Sequence, residues 1–266
     1  MRILVTGAAG SIGRVVTTGL VDRGYDVVGV DLLPAPDGWD GPWHALDCAD
    51  PEAVDAVVAQ HRPGAVVHLA GIAEERGLRE SLESHVITTG ALLDAMVTHG
   101  VTRIVYASSN HAVGRTPRAG LDGDLLTTDV RPRPDTFYGV GKVAAEALLS
   151  LYVDRHGLDA VSLRIGSFLE QPESVRGLST WLSHDDCVRM VDAALTAPAP
   201  GYAVLYGISA NTRAWWDLEP GRSLGYEPLD DAEQHAGSVP ERPEDAAEVA
   251  VVGGPFVTGR LERPAF

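Results

Sequence analysis

The chain has 266 residues, 45% of them apolar and 22% charged, with a formal net charge of −16 at pH 7. That length suits one large domain with a substantial buried core, and the spread of apolar residues argues against disorder. The negative surface field disfavours nucleic acid and anionic membranes as partners, and an anionic small molecule would need a buried cation to hold it.

Short apolar runs alternate with stretches of helical period along the chain. Arg2 to Thr6 reads as a strand before a helix over Ser11 to Arg23, and Asp26 to Asp31 as a strand before a helix over Pro51 to Gln60. Ala65 to Leu69 precedes a helix over Ser84 to His99, and Arg103 to Ser108 makes the fourth strand. Runs such as Ala65-Val66-Val67, apolar on both faces, suit a parallel sheet covered by helices on each side, so the expected fold class is α/β with a doubly wound parallel sheet. A loop from Gly114 to Thr136, punctuated by Pro117, Gly120, Gly123, Pro132 and Pro134, is long enough to suggest function. It leads to a helix from Tyr138 to His156 and a strand from Asp159 to Arg164. Beyond Arg164 the alternation fades, leaving one helix (Asp185 to Leu195) and one strand (Tyr202 to Tyr206) in what reads as a small lobe closing over the end of the sheet.

Two cysteines without a CxxC pair, Cys48 and Cys187, give no disulfide framework and are expected to be buried small side chains in a reducing compartment. The strand-like Arg2 to Val5 follows Met1 with no leader-like segment, so a cytoplasmic protein is expected.

Gly7-Ala8-Ala9-Gly10-Ser11-Ile12-Gly13 lies between the first strand and the first helix, where a dinucleotide-binding glycine loop belongs. Gly7 permits the tight turn, Gly10 lets backbone N–H groups approach a pyrophosphate, and Gly13 lets helix and strand pack closely. Asp31 ends the second strand eighteen residues after Gly13, placed to accept hydrogen bonds from the adenosine ribose and to repel a 2′-phosphate. NAD is therefore favoured over NADP, with Arg14 as the counter-indication. Asp47, with its neighbour Cys48, and Leu69-Ala70-Gly71 after the third core strand lie where further cofactor contacts are expected.

Tyr138 and Lys142 form a YxxxK pair, whose spacing sets both side chains on one face of a helix. A free tyrosine ionises near 10, and a nearby ammonium together with a positive nicotinamide ring would favour its phenolate. Ser109 ends the fourth strand in Tyr106-Ala107-Ser108-Ser109-Asn110-His111, at the carboxyl edge where open α/β sheets place their chemistry, and its hydroxyl can hold a substrate oxygen while the tyrosine takes the proton.

Glycine loop, strand-end Asp, strand-end Ser and downstream YxxxK together resemble the extended short-chain dehydrogenase/reductase family over the whole chain. More narrowly, the stretches from Ala107 to Gly114, Arg164 to Ser167, Leu178 to Asp186 and Trp215 to Asp217 resemble the bacterial uronate dehydrogenases, which oxidise C1 of D-glucuronate or D-galacturonate to the aldarolactone with NAD. The resemblance implies a Rossmann sheet with a C-terminal substrate lobe: one domain, residues 1–266, of which 1–165 are mainly the NAD-binding core and 166–266 mainly the lobe. It also implies Tyr138 as general base, Lys142 as the residue lowering the tyrosine pKa and gripping the nicotinamide ribose, and Ser109 as the hydroxyl partner. Asn110, His111 and Ser167 would bind sugar oxygens, and Arg176, which from the residues alone reads as a loop arginine, would pair with the substrate carboxylate.

Two positions depart from the pattern: Ala73 stands where a substrate-binding serine is usual, and Gly141 where YGVSK has serine. The first removes a substrate hydrogen bond; the second costs about 1 kcal/mol of helix stability at most. Nine histidines carry no metal-ligand spacing, so no metal is expected. Ser183-His184-Asp185-Asp186 reads as a capped helix start, and Trp181, Trp215 and Trp216 as packing residues of the lobe. A sugar acid is the expected partner, and a homo-oligomer is expected by analogy with the fold family. Two rival readings share the scaffold: a nucleotide-sugar epimerase or dehydratase that keeps its cofactor bound, for which the C-terminal third leaves little room, and a catalytically silent NAD-binding protein, against which the Ser109, Tyr138 and Lys142 set argues.

Overall fold

A computed structural model describes residues 1–121, 125–259 and 265. The first half repeats strand and helix: β1 (Arg2–Thr6), α1 (Ser11–Asp22), β2 (Asp26–Asp31), β3 (Trp43–Ala45), α2 (Pro51–His61), β4 (Ala65–His68), α3 (Leu78–Leu82), a π-turn (Glu83–Ile87), α4 (Thr88–His99) and β5 (Arg103–Ser109). After a 3₁₀ turn (Asn110–Val113) come α5 (Phe137–His156), β6 (Asp159–Ile165), β7 (Ser167–Phe168), α6 (Gly177–Thr180), β8 (Trp181–Leu182), α7 (His184–Thr196) and β9 (Tyr202–Gly207).

Seven strands form one parallel sheet in the order β3-β2-β1-β4-β5-β6-β9. Alternation along each strand sends successive side chains to opposite faces: Ile3 and Val5 pack with Val16, Leu20 and Val191 beneath α1 and α7, while Leu4 packs with Val58, Leu92, Met96 and Leu149 beneath α2, α4 and α5. The chain winds outward from β1 in one direction and from β4 in the other. A crevice therefore opens at the carboxyl ends of β1 and β4, the position where doubly wound sheets bind ligands.

Three features differ from the sequence reading. The edge strand β3 is only three residues long and pairs with β2 alone, too short for a periodic signal, so the strand ending at Ser109 is fifth in chain order. The helix expected from Ser84 begins at Leu78 and runs through the π-turn, which inserts a residue and shifts the apolar phase. The C-terminal third is not wholly a separate lobe, because β9 is the outermost strand of the main sheet beside β6 and α7 packs against α1. Beyond Gly207, Tyr226 returns to the main core, Ala232 packs with Leu178 and Trp181, and Ile208, Trp215, Trp216, Leu218 and Val252 pack with Val113 and Leu126. Pairing of Pro117 with Val251 and of Leu126 with Trp216 ties the long loop to this cluster. Trp181, Trp215 and Trp216 are all buried there or nearby, as packing residues are.

Candidate active site

The glycine loop is shaped by contacts that a side chain would destroy. Gly7 turns at φ +70°, and a Cβ on it would stand 2.7 Å from the Leu69 carbonyl carbon and the Ala70 nitrogen; at Gly13 a Cβ would lie 2.1 Å from the Gly7 carbonyl oxygen. Around Gly10 a Cβ would meet only the Gly7 oxygen, at 3.2 Å, so the space before the α1 N-terminus is open to a pyrophosphate. Asp31 braces the loop, with Oδ2 accepting from Ala9 N (2.9 Å) and Oδ1 from Leu33 N (3.0 Å). Arg14 Nε donates to the Ala9 carbonyl at 2.8 Å, tying this side chain to the loop.

Gly7, Gly10 and Asp31 border a cleft of about 540 Å³ that also takes in Leu32, Asp47, Cys48, Leu69, Ala70 and Gly71. Asp47 spends Oδ1 on Ala49 N (2.9 Å), and Cys48 is buried with its thiol pushed up to about 12, chiefly by burial, so it serves as an apolar wall. The cleft has the shape and chemistry of a dinucleotide site: an amide-lined helix start, a strand-end carboxylate and an apolar slot. Arg76 borders it as well, a cation that no sequence motif marked.

A second cavity of about 260 Å³ shares Leu69 and Gly71 with the first and is bordered by Ser11, Ile12, Ala73, His85, Ser109, His111, Tyr138, Lys142 and Phe168. The structure thus brings the Ser109, Tyr138 and Lys142 set together with Ser11 and Ile12 of the glycine loop. Tyr138 owes its place to the start of α5, where Thr136 Oγ1 accepts from Gly139 N (2.9 Å) and the Glu75 carboxylate accepts from Phe137 N (3.0 Å) and Tyr138 N (3.1 Å). Glu75 was not legible in advance, since it caps this helix from 62 residues away. Further along α5, Glu146 binds Ser108 Oγ (2.6 Å) and the buried Arg164 (2.8 Å), locking the helix to the ends of β5 and β6.

The electrostatics qualify one expectation. Lys142 Nζ donates to the Ala107 carbonyl at 2.6 Å and sits 4.9 Å from the Tyr106 ring centre and 5.4 Å from that of Tyr138. Burial draws its pKa down to about 7. The Tyr138 phenol is pushed up to about 12 by burial, against the lowering effect of the nearby Ser109 hydroxyl. Without ligand, burial keeps Tyr138 a neutral phenol at pH 7.

His111 Nδ1 lies 2.7 Å from Asp135 Oδ2, a carboxylate fully hidden from solvent, so Nδ1 carries the hydrogen and Nε2 is left to face the cavity. Phe256 packs on the His111 ring (4.3 Å between centres) and brings the C-terminal segment over the site. Neither Asp135 nor Phe256 was anticipated. Asn110, Ser167 and Arg176 do not border the 260 Å³ cavity itself. Asn110 Oδ1 accepts from Ser109 Oγ (3.3 Å), Ser167 Oγ pairs with Thr180 Oγ1 (2.9 Å), and Arg176 Nε and Nη2 donate to the Val252 carbonyl (3.2 and 2.5 Å). Among the described residues no carboxylate forms an ion pair with Arg176, although it is 9% exposed. Ser183 caps α7 through Asp186 N (2.9 Å), as its position suggested. Among the described residues no group of three or more His, Cys, Asp or Glu is arranged to hold a metal ion, and no helix is long and apolar enough to cross a membrane.

Residues 3–169 match the model of the NAD dependent epimerase/dehydratase family. The chain belongs to that family. Within it, the chain is 40% identical to a uronate dehydrogenase of Agrobacterium fabrum over 96% of both chains. Among solved structures, uronate dehydrogenase from Agrobacterium tumefaciens, as a tyrosine-to-alanine mutant complexed with NAD, superposes with a TM-score of 0.88 at 39% identity, over all of this chain and 98% of that one. A glucuronic acid dehydrogenase from Chromohalobacter salexigens gives 0.89 at 35% identity over 97% of both. The likeness to epimerases of the family is narrower: a UDP-glucose 4-epimerase of Corynebacterium glutamicum is 30% identical over 62% of this chain and 50% of its own.

Proposed function

We propose that the protein is an NAD-dependent uronate dehydrogenase, oxidising D-glucuronate or D-galacturonate at C1 to the aldarolactone. The reading is carried by the likeness to uronate dehydrogenases over nearly the full length of both chains. The shared cavity of Ser109, Tyr138 and Lys142 beside the glycine loop supports it.

The cyclic uronate binds with its anomeric hydroxyl between Ser109 and Tyr138. Ser109 Oγ donates to that oxygen, and the Tyr138 phenolate takes its proton as the C1 carbonyl forms. The cofactor supplies the acceptor for the C1 hydride. Lys142, held by the Ala107 carbonyl beneath the Tyr138 ring, adds positive charge that favours the phenolate and binds the nicotinamide ribose. His111 Nε2, its tautomer fixed by Asp135, binds a sugar oxygen; Asn110 and Ser167, which do not border the cavity, join it by exchanging their partners Ser109 and Thr180 for the sugar. Arg176, buried without a carboxylate partner among the described residues, pairs with the substrate carboxylate. On the other side of the site Asp31 would hold the adenosine ribose, and Gly7, Gly10, Ser11 and Ile12 would line the path of the pyrophosphate, with Gly13 packed beneath the loop.

Tyr138→Phe tests the base: turnover falls by about 10³-fold or more while NAD affinity stays within about threefold. Turnover that survives the change would remove Tyr138 from the mechanism. Release of NADH into solution separates this function from an epimerase that returns the hydride.

A further inference from the structure

One buried atom at the edge of the catalytic cavity has no partner among the described residues and no part in the reaction above: Nδ1 of His85. His85 sits in the π-turn Glu83–Ile87, a helix irregularity of the kind found at functional sites. The residue is 1% exposed, and its Nε2 lies 3.1 Å from the Ile72 carbonyl oxygen. A carbonyl can only accept, so Nε2 carries the hydrogen and Nδ1 presents a bare lone pair. Burial, reinforced by the Lys142 charge, draws the ring's pKa down to about 2 and keeps it neutral. A buried acceptor without a donor is costly, and native proteins rarely leave one unmet.

Two glycines make room for this ring. A Cβ on Gly71 would stand 2.7 Å from both Cε1 and Nδ1, and a Cβ on Gly141 would stand 2.9 Å from Cδ2 and 3.0 Å from the Ser81 carbonyl oxygen. Gly141 thus gives up helix propensity beside Lys142 to accommodate His85. The imidazole meets the Tyr138 ring edge-on, with 5.1 Å between centres and planes at 77°. Nδ1 packs against Gly71, which borders both cavities, and the His85 ring itself borders the smaller one. A dinucleotide with its adenosine in the larger cavity and its nicotinamide in the smaller would run past Gly71, and the hydrogen-bond donors on its nicotinamide half nearest that passage are the ribose hydroxyls.

We propose that His85 is a further cofactor-binding residue: its Nδ1 accepts a hydrogen bond from a hydroxyl of the nicotinamide ribose, while its ring edge fixes the plane of Tyr138. This rests on the reading that the nicotinamide half lies in the Tyr138 and Lys142 cavity. The test is titration of NAD and of ADP, which lacks the nicotinamide riboside, into wild-type protein and the variants His85→Leu and His85→Asn, without sugar. His85→Leu is expected to weaken NAD about tenfold and ADP by no more than about twofold, and His85→Asn, which keeps an acceptor oxygen, to recover most of the loss. Equal losses for both ligands, or undiminished NAD affinity with a raised KM for uronate alone, would overturn the proposal. Should the leucine variant fail to fold, the wild-type protein labelled with ¹⁵N-histidine decides: the His85 Nδ1 resonance, identified by its loss in His85→Asn, moves toward the protonated range with NAD and not with ADP. A resonance that NAD leaves in place would refute the hydrogen bond. Wild-type protein that binds NAD no better than ADP would overturn the placement of the nicotinamide half, and the proposal with it.

Discussion

Arg176→Met separates a substrate clamp from a structural arginine. Arg176 is 9% exposed as a whole residue; its guanidinium makes its hydrogen bonds to one backbone carbonyl and is held down to about 10 by burial, with Asp135 and Glu248 only partly offsetting that effect. Its charge is therefore carried at a cost to the fold. Methionine, of similar reach and apolar, removes that cost and leaves the Val252 carbonyl short of a donor, a loss of about 1 kcal/mol. The two effects oppose each other, so Tm should stay within about 4 °C of wild type. Catalysis loses a charge-assisted, two-pronged pairing worth roughly 3–4 kcal/mol, or about 10²- to 10³-fold in kcat/KM for D-glucuronate. NADH formation, thermal unfolding and NAD titration on the same preparation give all three quantities. A fall of about 10 °C in Tm together with weakened NAD binding would make Arg176 a structural residue, and kcat/KM within about threefold of wild type would end the clamp assignment.

Two further outcomes follow from particular side chains. His68, hydrogen-bonded to Thr6 (2.7 Å) and Thr89 (3.1 Å), and His85 are buried neutral with pKa values drawn down by burial to about 3 and about 2. Both lie below the unfolded value of about 6.5, so the unfolded chain binds the extra protons and stability is lost as pH falls below that value, by about 1.4 kcal/mol per pH unit per ring. Thermal unfolding from pH 6.5 to 4.5 should show the decline, and His68→Asn should reduce its slope; an unchanged slope would show that other groups dominate. Ala73→Ser puts a hydroxyl on the wall of the catalytic cavity and should lower KM for uronate by about threefold to tenfold without moving NAD affinity. A raised KM would mean that the wall is already closed against the sugar.

What the sequence disclosed and what it hid divide along physical lines. The placement of Gly7, Gly13, Asp31 and the Tyr138 and Lys142 pair was legible because local geometry sets it, a turn, a strand end or one face of a helix. Strand β3 was not, because three edge residues give no period. Glu75, Asp135 and Phe256 were hidden for another reason: each works on a residue distant in sequence, and an Asp in a loop or a Phe near the C-terminus carries no signal until the fold brings it to Tyr138 or His111. Gly141 looked like a small loss of helix stability, and only the packing of His85 against it explains why no side chain is there. Lys142 was expected beside Tyr138, and the fold puts it there; that burial raises the Tyr138 phenol and lowers the Lys142 ammonium was not legible, because burial is a property of the fold.

The central claim is oxidation of a uronate with release of NADH, and the measurement that tests it most directly is absorbance of NADH on mixing protein and NAD with D-glucuronate or D-galacturonate. Glucose and galactose, which lack the carboxylate, serve as controls. Steady NADH formation with the uronates, and turnover at least about 10²-fold slower with the neutral sugars, is the predicted result. Equal turnover of neutral and acidic sugars, or none with any of the four despite NAD binding, would contradict it.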